Sequence, residues 1–414
     1  MRLTDFEDAM LAGEMGEPRR FALEQQMMVG RFYDAADFVE VTQAHVMGDG
    51  EAVGEAGVAL LRRLAAAPET DRRVSVPTVT DPRGVDRAKA RSLGQPAGAE
   101  EREAEIVNAL DAMGVLLTDT CINYQTVLPP VFGEHVAFGD TGSVVYANAV
   151  CGARSNFEGG PAALWAALTG RTPRYGYHLD RARRGTRAFR VKDRPRGLTD
   201  WGALGGLIGR RLQSYWEVPV LLDAGATPGS DALKHFGAAL ASYGSTPMFH
   251  IVGVTPEAPD ETAAFGGPPP KVEDASFTNI NEFYGSFEAQ DEPVDVVVFA
   301  APQLSLLELR SLADLLDGRR VNAGTALLAA TSPEVARAAE RAGITGRIVA
   351  AGGAVLEGVC FYQMYAREMA AANDWRRLVT NSAKLANIIG GYGYEPVLAP
   401  MERCVDAAVA GRLP

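Results

Sequence analysis

Apolar positions along this 414-residue chain follow two spacings. Recurrence every three to four residues predicts helices, and short apolar runs between turn residues predict strands. Residues 4–29 read as a helix, with Thr4 and Glu7 at capping-box spacing and a glycine break at Gly13–Gly16. Phe38–Thr42 then reads as a strand, 44–50 (AHVMGDG) as a turn, Val53–Ala67 as a helix and Val74–Val79 as a strand. Helix Glu100–Met113 leads to Cys121, placed at the end of a short strand. Further on, Leu204–Tyr215 and 233–244 read as helices, Val218–Leu222 as a strand, and 247–260 as a strand running into a Pro-rich loop. The stretch 294–316 is a strong apolar strand, a loop, and a helix capped by Ser305 with Glu308 three residues on. Ala326–Ala330 and Arg347–Ala350 read as strands around the helix Pro333–Ala342. Strand, loop and helix recur without a fixed-period repeat, which predicts an α/β fold.

Composition narrows the class. Hydrophobic content of 47% is ample for a buried core, and a formal net charge of -12 argues against nucleic acid or an anionic membrane as the main partner. The basic stretch Arg181–Arg196 is the exception and reads as a solvated loop. Cys121, Cys151, Cys360 and Cys404 lie too far apart for a disulfide framework, so a reducing cytoplasm is expected. The acidic start is no secretory signal, and no run of about 18 apolar residues predicts a membrane span.

The candidate chemistry concentrates in residues 132–179. Gly133-Glu134-His135, Tyr146-Ala147-Asn148, residues 152–156 (Gly-Ala-Arg-Ser-Asn), Glu158-Gly159-Gly160 and residues 169–173 (Thr-Gly-Arg-Thr-Pro) fall within fifty positions. Glycines let backbones approach closely, while Arg154, Ser155 and Asn156 offer donors for a carboxylate or phosphate. Thr380, Asn381, Ser382 and Lys384 form a second such group. On residue type alone, caps and solvated loop residues explain these sets equally well. Asp81 and Asp86 follow a strand and suit helix capping or substrate contact, with capping favoured. His135 and His250 stand beside glycine-rich loops as functional candidates, whereas His178 and His235 read as structural. Cys121, Cys360 and Cys151 share one metal site or are buried free thiols; no pair has C-x-x-C spacing. No G-x-S-x-G elbow, G-x-G-x-x-G turn or P-loop occurs.

Several of these motifs resemble, in order, the large subunit of the aconitase X family: LTDFEDAMLAGEMG, AHVMGDG, VPTVTDPRGVD, the stretch 133–179, FHIVGVTPEAP and TNSAK. The resemblance runs from about Leu3 to Gly411. It implies a multi-layer, aconitase-like body of strand–loop–helix units with mostly parallel sheets, forming one large subunit over 1–414 with a sub-division near 1–200 and 201–414. It also implies a hydro-lyase (a dehydratase). Members dehydrate cis-3-hydroxy-L-proline or mevalonate 5-phosphate, often with an iron–sulfur cluster whose exposed iron is a Lewis acid. The family's swivelling domain, which supplies a Ser base, has no counterpart here, so a separate small subunit and a heterodimer are expected.

By position, Cys121 matches the first cluster cysteine in Thr-Cys-x-x-Tyr, and Cys360 the late one, here after Gly358-Val359. The usual Gly-Cys-Pro-His becomes Ala300-Ala301-Pro302-Gln303, which removes one cysteine and one histidine. A two-iron or otherwise degenerate centre, a mononuclear metal, or no metal are all compatible with that loss, and Cys151, where Leu is usual, is a substitute ligand or a core residue. Arg154, Ser155 and Asn156 match the binding loop, with Ser for Thr and with Phe157 where Arg is usual, which points away from phosphorylated substrates. The resulting expectation is a small hydroxy acid, hydroxyproline-like or from secondary metabolism. Cys121 and Cys360 hold a metal; Arg154, Asn156, Asn381, Ser382 and Lys384 grip the carboxylate; His135, Ser382 and Lys384 take catalytic roles. The alternatives are a metal-free isomerase or dehydratase on the same scaffold and a non-catalytic binding subunit.

Overall fold

The computed structural model describes residues 1–192, 194–224, 227–287 and 292–413. Asp193, within the basic stretch, lies outside them.

Local signals place the helix starts. Thr4 and Glu7 form the capping box of Asp5–Leu11, and Ser305 and Glu308 form that of Leu306–Leu315. In the first part of the chain the strands are β1 (Phe38–Glu40), β2 (Ala44–Val46), β3 (Thr78–Thr80), β4 (Ala137–Phe138) and β5 (Arg171–Pro173). β1 and β5 pair antiparallel, while β2, β3 and β4 make a parallel sheet in the order β3-β2-β4. The middle of the chain adds β6 (Arg187–Val191), β7 (Pro219–Asp223), β8 (His250–Ile251) and β9 (Val272–Ala275), parallel in the order β8-β7-β6-β9. The last part adds β10 (Val296–Leu304), β11 (Ala326–Thr331), β12 (Ala354–Glu357), β13 (Arg377–Thr380) and β14 (Glu395–Leu398), parallel in the order β12-β11-β10-β13-β14. The expected α/β body of mostly parallel sheets is present.

The largest core cluster joins the middle and last sheets through the helices Leu198–Leu212 and Ser230–Gly244. These helices cross at glycines: a Cβ at Gly209 would meet the Leu240 carbonyl oxygen at 2.9 Å, and one at Gly205 would run into the Phe236 carbonyl. Helix backbones approach this closely only where a side chain is missing.

Three local expectations fail. Residues 44–46, expected within a turn, are the fully buried strand β2 at the centre of its sheet. A three-residue strand buried on both faces carries no alternation to read. Arg347–Ala350, expected as a strand, belongs to the helix Ile344–Ala350, which buries Ile344 and Ile348 one turn apart. Cys121 follows no strand; Leu116 makes an isolated bridge to Val79, and the loop beyond is pinned by the Thr120 amide donating to the Thr80 carbonyl.

The carboxyl ends of the first parallel sheet and of the five-stranded sheet meet. The Arg83 amide donates to the Gly358 carbonyl at 2.8 Å, and the Cys121 amide donates to Gln303 Oε1 at 3.2 Å. Ligand sites in α/β proteins lie outside such strand ends.

Candidate active site

Each strand of the first parallel sheet delivers an aspartate just beyond its carboxyl end: Asp49 after β2, Asp81 after β3 and Asp140 after β4. The five-stranded sheet delivers Gln303 from β10, Cys360 and Gln363 after β12, and Lys384 after β13. All of these side chains are buried.

His45, on β2, sets the hydrogen-bonding pattern. Its Nε2 lies 2.8 Å from the Thr120 carbonyl, which only accepts, so Nε2 carries the proton. Nδ1 then keeps a lone pair and has no partner. Asp81 Oδ1 is 3.6 Å from His45 Nε2 and has no hydrogen-bond partner. Asp81 Oδ2 accepts from Gln363 Nε2 at 3.0 Å, and the same amide reaches Asp49 Oδ2 at 3.4 Å. Asp140 caps the helix Thr141–Tyr146 through the Ser143 amide and faces Lys384 Nζ at 3.5 Å. Lys384 Nζ stands 5.6 Å from the Tyr362 ring centre. The Cys121 and Cys360 thiols are neighbours in the centre, and the Gln303 amide donates to Cys121 Sγ at 3.4 Å. Gln303 stitches the seam, its Nε2 donating toward the Asp119, Thr331 and Val359 carbonyls at 3.1, 3.3 and 3.2 Å.

These neighbours give the aspartates different protonation. Burial pushes the Asp81 carboxyl well up, and Asp140 adds to it, so Asp81 holds a proton. Burial alone would raise Asp140 too, but Lys384 and the Ser143 amide hold it low and ionised. Burial alone would lower Lys384, but Asp140 together with Cys121, Cys360 and Asp81 outweighs it, and Lys384 stays an ammonium. Burial lowers His45 and keeps it neutral. Hydrogen bonding to Cys360 and burial raise the Cys121 thiol. The result is a neutral acid, a neutral imidazole and a charged pair in one dry site, a combination suited to proton transfer on an anionic substrate.

The supporting acid Glu103 accepts from the Gly84 and Gly50 amides at 2.9 and 3.0 Å. Burial pushes it up to about 7. A carboxyl that holds its proton more tightly folded than unfolded supports the fold at low pH, and that support is lost as pH rises from the unfolded value toward about 7. Unfolding in denaturant at about pH 5 and about pH 8 is expected to show a larger stability loss for the wild type than for Glu103→Gln, which cannot ionise. Equal losses would exclude Glu103 as the source.

Of the residues singled out from sequence, Lys384, Cys121 and Cys360 meet here. Cys151 does not join them: it ends a π-turn, Ala147–Cys151, where burial and Glu134 push its thiol up to about 11. Among the described residues no group of three His, Cys, Asp or Glu is spaced to hold a metal ion. A cluster needing three cysteine ligands therefore does not fit this chain, because Ala301 offers no thiol and Cys151 stands elsewhere. What the centre offers a metal is two neighbouring thiols and the unpartnered Asp81 oxygen.

The other candidates are occupied. Ser382 caps Ala383–Ile389, accepting from the Leu385 amide at 3.1 Å. Asn381 is buried on a separate cavity of about 460 Å³ beside Thr199 and Met401. Arg154 pairs with the exposed Asp180 and donates to the His178 carbonyl at 3.2 Å. Ser155 accepts from the Phe138 amide at 3.2 Å, and Asn156 accepts from the Tyr177 amide at 3.0 Å, so both brace their loop. His135 stacks on His178 with their Nδ1 atoms 2.9 Å apart, and its charged neighbours are Arg154, Arg183, Arg174 and Asp180, none of them in the centre. His250 is buried with Nε2 2.7 Å from the Arg183 carbonyl, a structural role. Asp86 is a cap, as expected, accepting from the Ala88 and Lys89 amides at 3.0 Å, whereas Asp81 is not.

Sequence reasoning missed His45, Asp49, Asp140 and Gln363. For three of them a signal existed: Ala44-His45-Val46 runs into Met47-Gly48-Asp49, and Ala137-Phe138 into Gly139-Asp140, each a short buried run broken by Gly-Asp.

The fold and site together define a three-part α/β scaffold with a buried acid–base centre at opposed strand ends. The sequence matches the Aconitase X first domain over residues 1–181, the second domain over 185–283 and the third domain over 294–410. It is 34% identical over 386 residues to the phosphomevalonate dehydratase large subunit of Methanothermobacter thermautotrophicus, covering 93% of each chain. It is also 34% identical to the cis-3-hydroxy-L-proline dehydratase of Pseudomonas aeruginosa, covering 100% of this chain and 71% of that one. The crystal structure of Thermococcus kodakaraensis aconitase X in its holo-form superposes with a TM-score of 0.87 at 29% identity, covering 99% of this chain and 100% of the other. The chain belongs to the aconitase X family.

Proposed function

We propose that this chain is the large subunit of a hydro-lyase that removes water from a small hydroxy acid. One observation carries the reading: protonated Asp81 and neutral His45 face the buried Lys384–Asp140 pair at the seam of two sheets. Relatives named as dehydratases support it.

Lys384 supplies the cation for the substrate carboxylate, sharing its charge with Asp140. Asp81 is the acid that protonates the departing hydroxyl, so that the carbon–oxygen bond breaks as water leaves. His45 stays neutral 3.6 Å from Asp81 and walls that carboxyl off from water, and solvent returns the proton that Asp81 gives up once the product has left. The base that takes the proton from the neighbouring carbon, leaving the double bond, comes from a separate small subunit, consistent with relatives named as large subunits. Cys121 and Cys360 would hold a two-iron or single-ion centre as its protein thiolates, and such a centre, when bound, supplies Lewis-acid polarisation of the hydroxyl. Four free cysteines fit a reducing cytoplasm, and no helix among the described residues is long and apolar enough to cross a membrane.

The test is anaerobic co-expression with the small subunit, followed by iron and sulfide analysis and turnover of a hydroxy-acid panel read as new ultraviolet absorbance. The wild-type complex is expected to carry iron, and Cys121→Ser to lose most of it while staying folded by circular dichroism. An active, iron-free wild-type complex would remove the metal and favour the metal-free reading, for which Ala301 and the fully engaged Gln303 speak. No turnover with any partner or substrate would favour the binding-subunit reading.

A further inference from the structure

Next to the centre lies a second feature that the acid–base chemistry leaves unused. A cavity of about 590 Å³ opens between the carboxyl ends of β2 and β4, the helix Gly50–Ala65 and the start of the helix Ala162–Thr169. Its volume is that of a small-molecule pocket. Met47, Val53, Leu60, Leu61, Leu110 and Leu164 form its walls. The remaining lining residues are apolar or glycine, and none carries a charge or a polar side chain.

The cavity begins one residue from the centre. Gly139 lines it and immediately precedes Asp140; Met47 lines it on the loop that leads from β2 to Asp49. A Cβ at Gly139 would meet the His45 carbonyl oxygen at 3.0 Å and Met47 Cγ at 3.4 Å, so glycine is what lets the ends of β2 and β4 pack together beside the cavity, where the Gly139 amide donates to the His45 carbonyl at 2.8 Å. At the opposite rim, a Cβ at Gly159 or Gly160 would meet nothing within 4 Å, and the mouth is open. The helix that forms the long wall breaks its regular winding at Gly54, where φ is 59°.

We infer that this cavity binds a hydrocarbon extension of the substrate, so that the hydroxy acid handled here carries an alkyl chain beyond its reacting carbons. This rests on the hydro-lyase reading and names its substrate class. A phosphate or second carboxylate placed in the cavity would lose its water and find no donor. A methylene chain placed there loses nothing polar and leaves water, which corresponds to about fourfold tighter binding per added methylene.

Titration calorimetry on the co-expressed complex tests this with straight-chain 2-hydroxy acids, from lactate upward. The dissociation constant is expected to fall about fourfold per methylene until the cavity is full. Ala56→Trp, which fills the cavity from the helix wall, and Gly159→Leu, which narrows it from the opposite rim, are each expected to abolish that dependence. The second variant serves if the first does not fold. Ala59→Trp, exposed on the same helix and outside the lining, is expected to retain it. Affinity independent of chain length in the wild type, or a slope that survives both filling variants, would overturn the inference. A slope without turnover supports the cavity and counts against the hydro-lyase reading; turnover of short acids without a slope overturns the cavity alone.

Discussion

Lys384→Met is expected to cost about 10³-fold in kcat/KM with every substrate that the complex turns over, because the substrate carboxylate loses the buried ammonium that faces Asp140. The variant also leaves Asp140 ionised, buried and unpaired, and removing one partner of a buried pair costs about 3–5 kcal/mol. The two effects separate in the double variant Lys384→Met/Asp140→Asn. Stability measured by denaturant unfolding is expected to recover there, because the unpaired charge is gone, while turnover stays lost. Full activity in Lys384→Met would exclude Lys384 as the carboxylate partner. Stability restored together with activity in the double variant would show that the pair is purely structural.

The second large effect lies behind the site. Glu308 is buried with its carboxylate held by Lys234 and by His235, the latter at 2.7 Å, and Lys234 Nζ also donates to the Gln303 carbonyl at 3.1 Å. Burial would raise the Glu308 carboxyl, but Lys234 and His235 hold it well below the usual carboxylate range. Glu308→Ala is expected to destabilise the protein by about 3–5 kcal/mol near neutral pH, since buried Lys234 loses its closest counter-charge and is left with Asp231 at 3.3 Å and the Gln303 carbonyl. The sign with pH follows from the depressed value. The contribution is present above the unfolded pKa and fades as pH falls below about 4, so wild type and variant converge in acid. A gap between them that stays constant from neutral to acid pH would rule out the ionised carboxylate as its source. Because Lys234 supports Gln303, the same variant is expected to loosen the Cys121 loop.

What the sequence disclosed divides by distance along the chain. Helix starts at Thr4 and Ser305 were legible because a cap and its glutamate lie three residues apart. Cys121, Cys360 and Lys384 were legible through motifs. The Arg154-Ser155-Asn156 loop was not legible in the same way, because Arg, Ser and Asn offer the same donors whether they bind an anion or brace a turn, and here Asn156 hydrogen-bonds with Tyr175, Tyr177 and Tyr215. Adjacency to glycine in sequence says nothing of the spatial partner of His135, which the fold sets beside His178.

By itself the sequence determined the alternation of strand, loop and helix, the local caps, the family, and three members of the centre. Only the tertiary structure decided that Asp81 is a proton-holding acid while Asp140, after the next strand of the same sheet, is ionised. Both are short carboxylates after short buried strands, and the chain writes them alike. Their difference comes from Lys384, 244 positions away from Asp140 and brought to it where two sheets oppose their carboxyl ends. Protonation in a buried site is set by through-space charge and desolvation, and neither is carried by spacing along the chain.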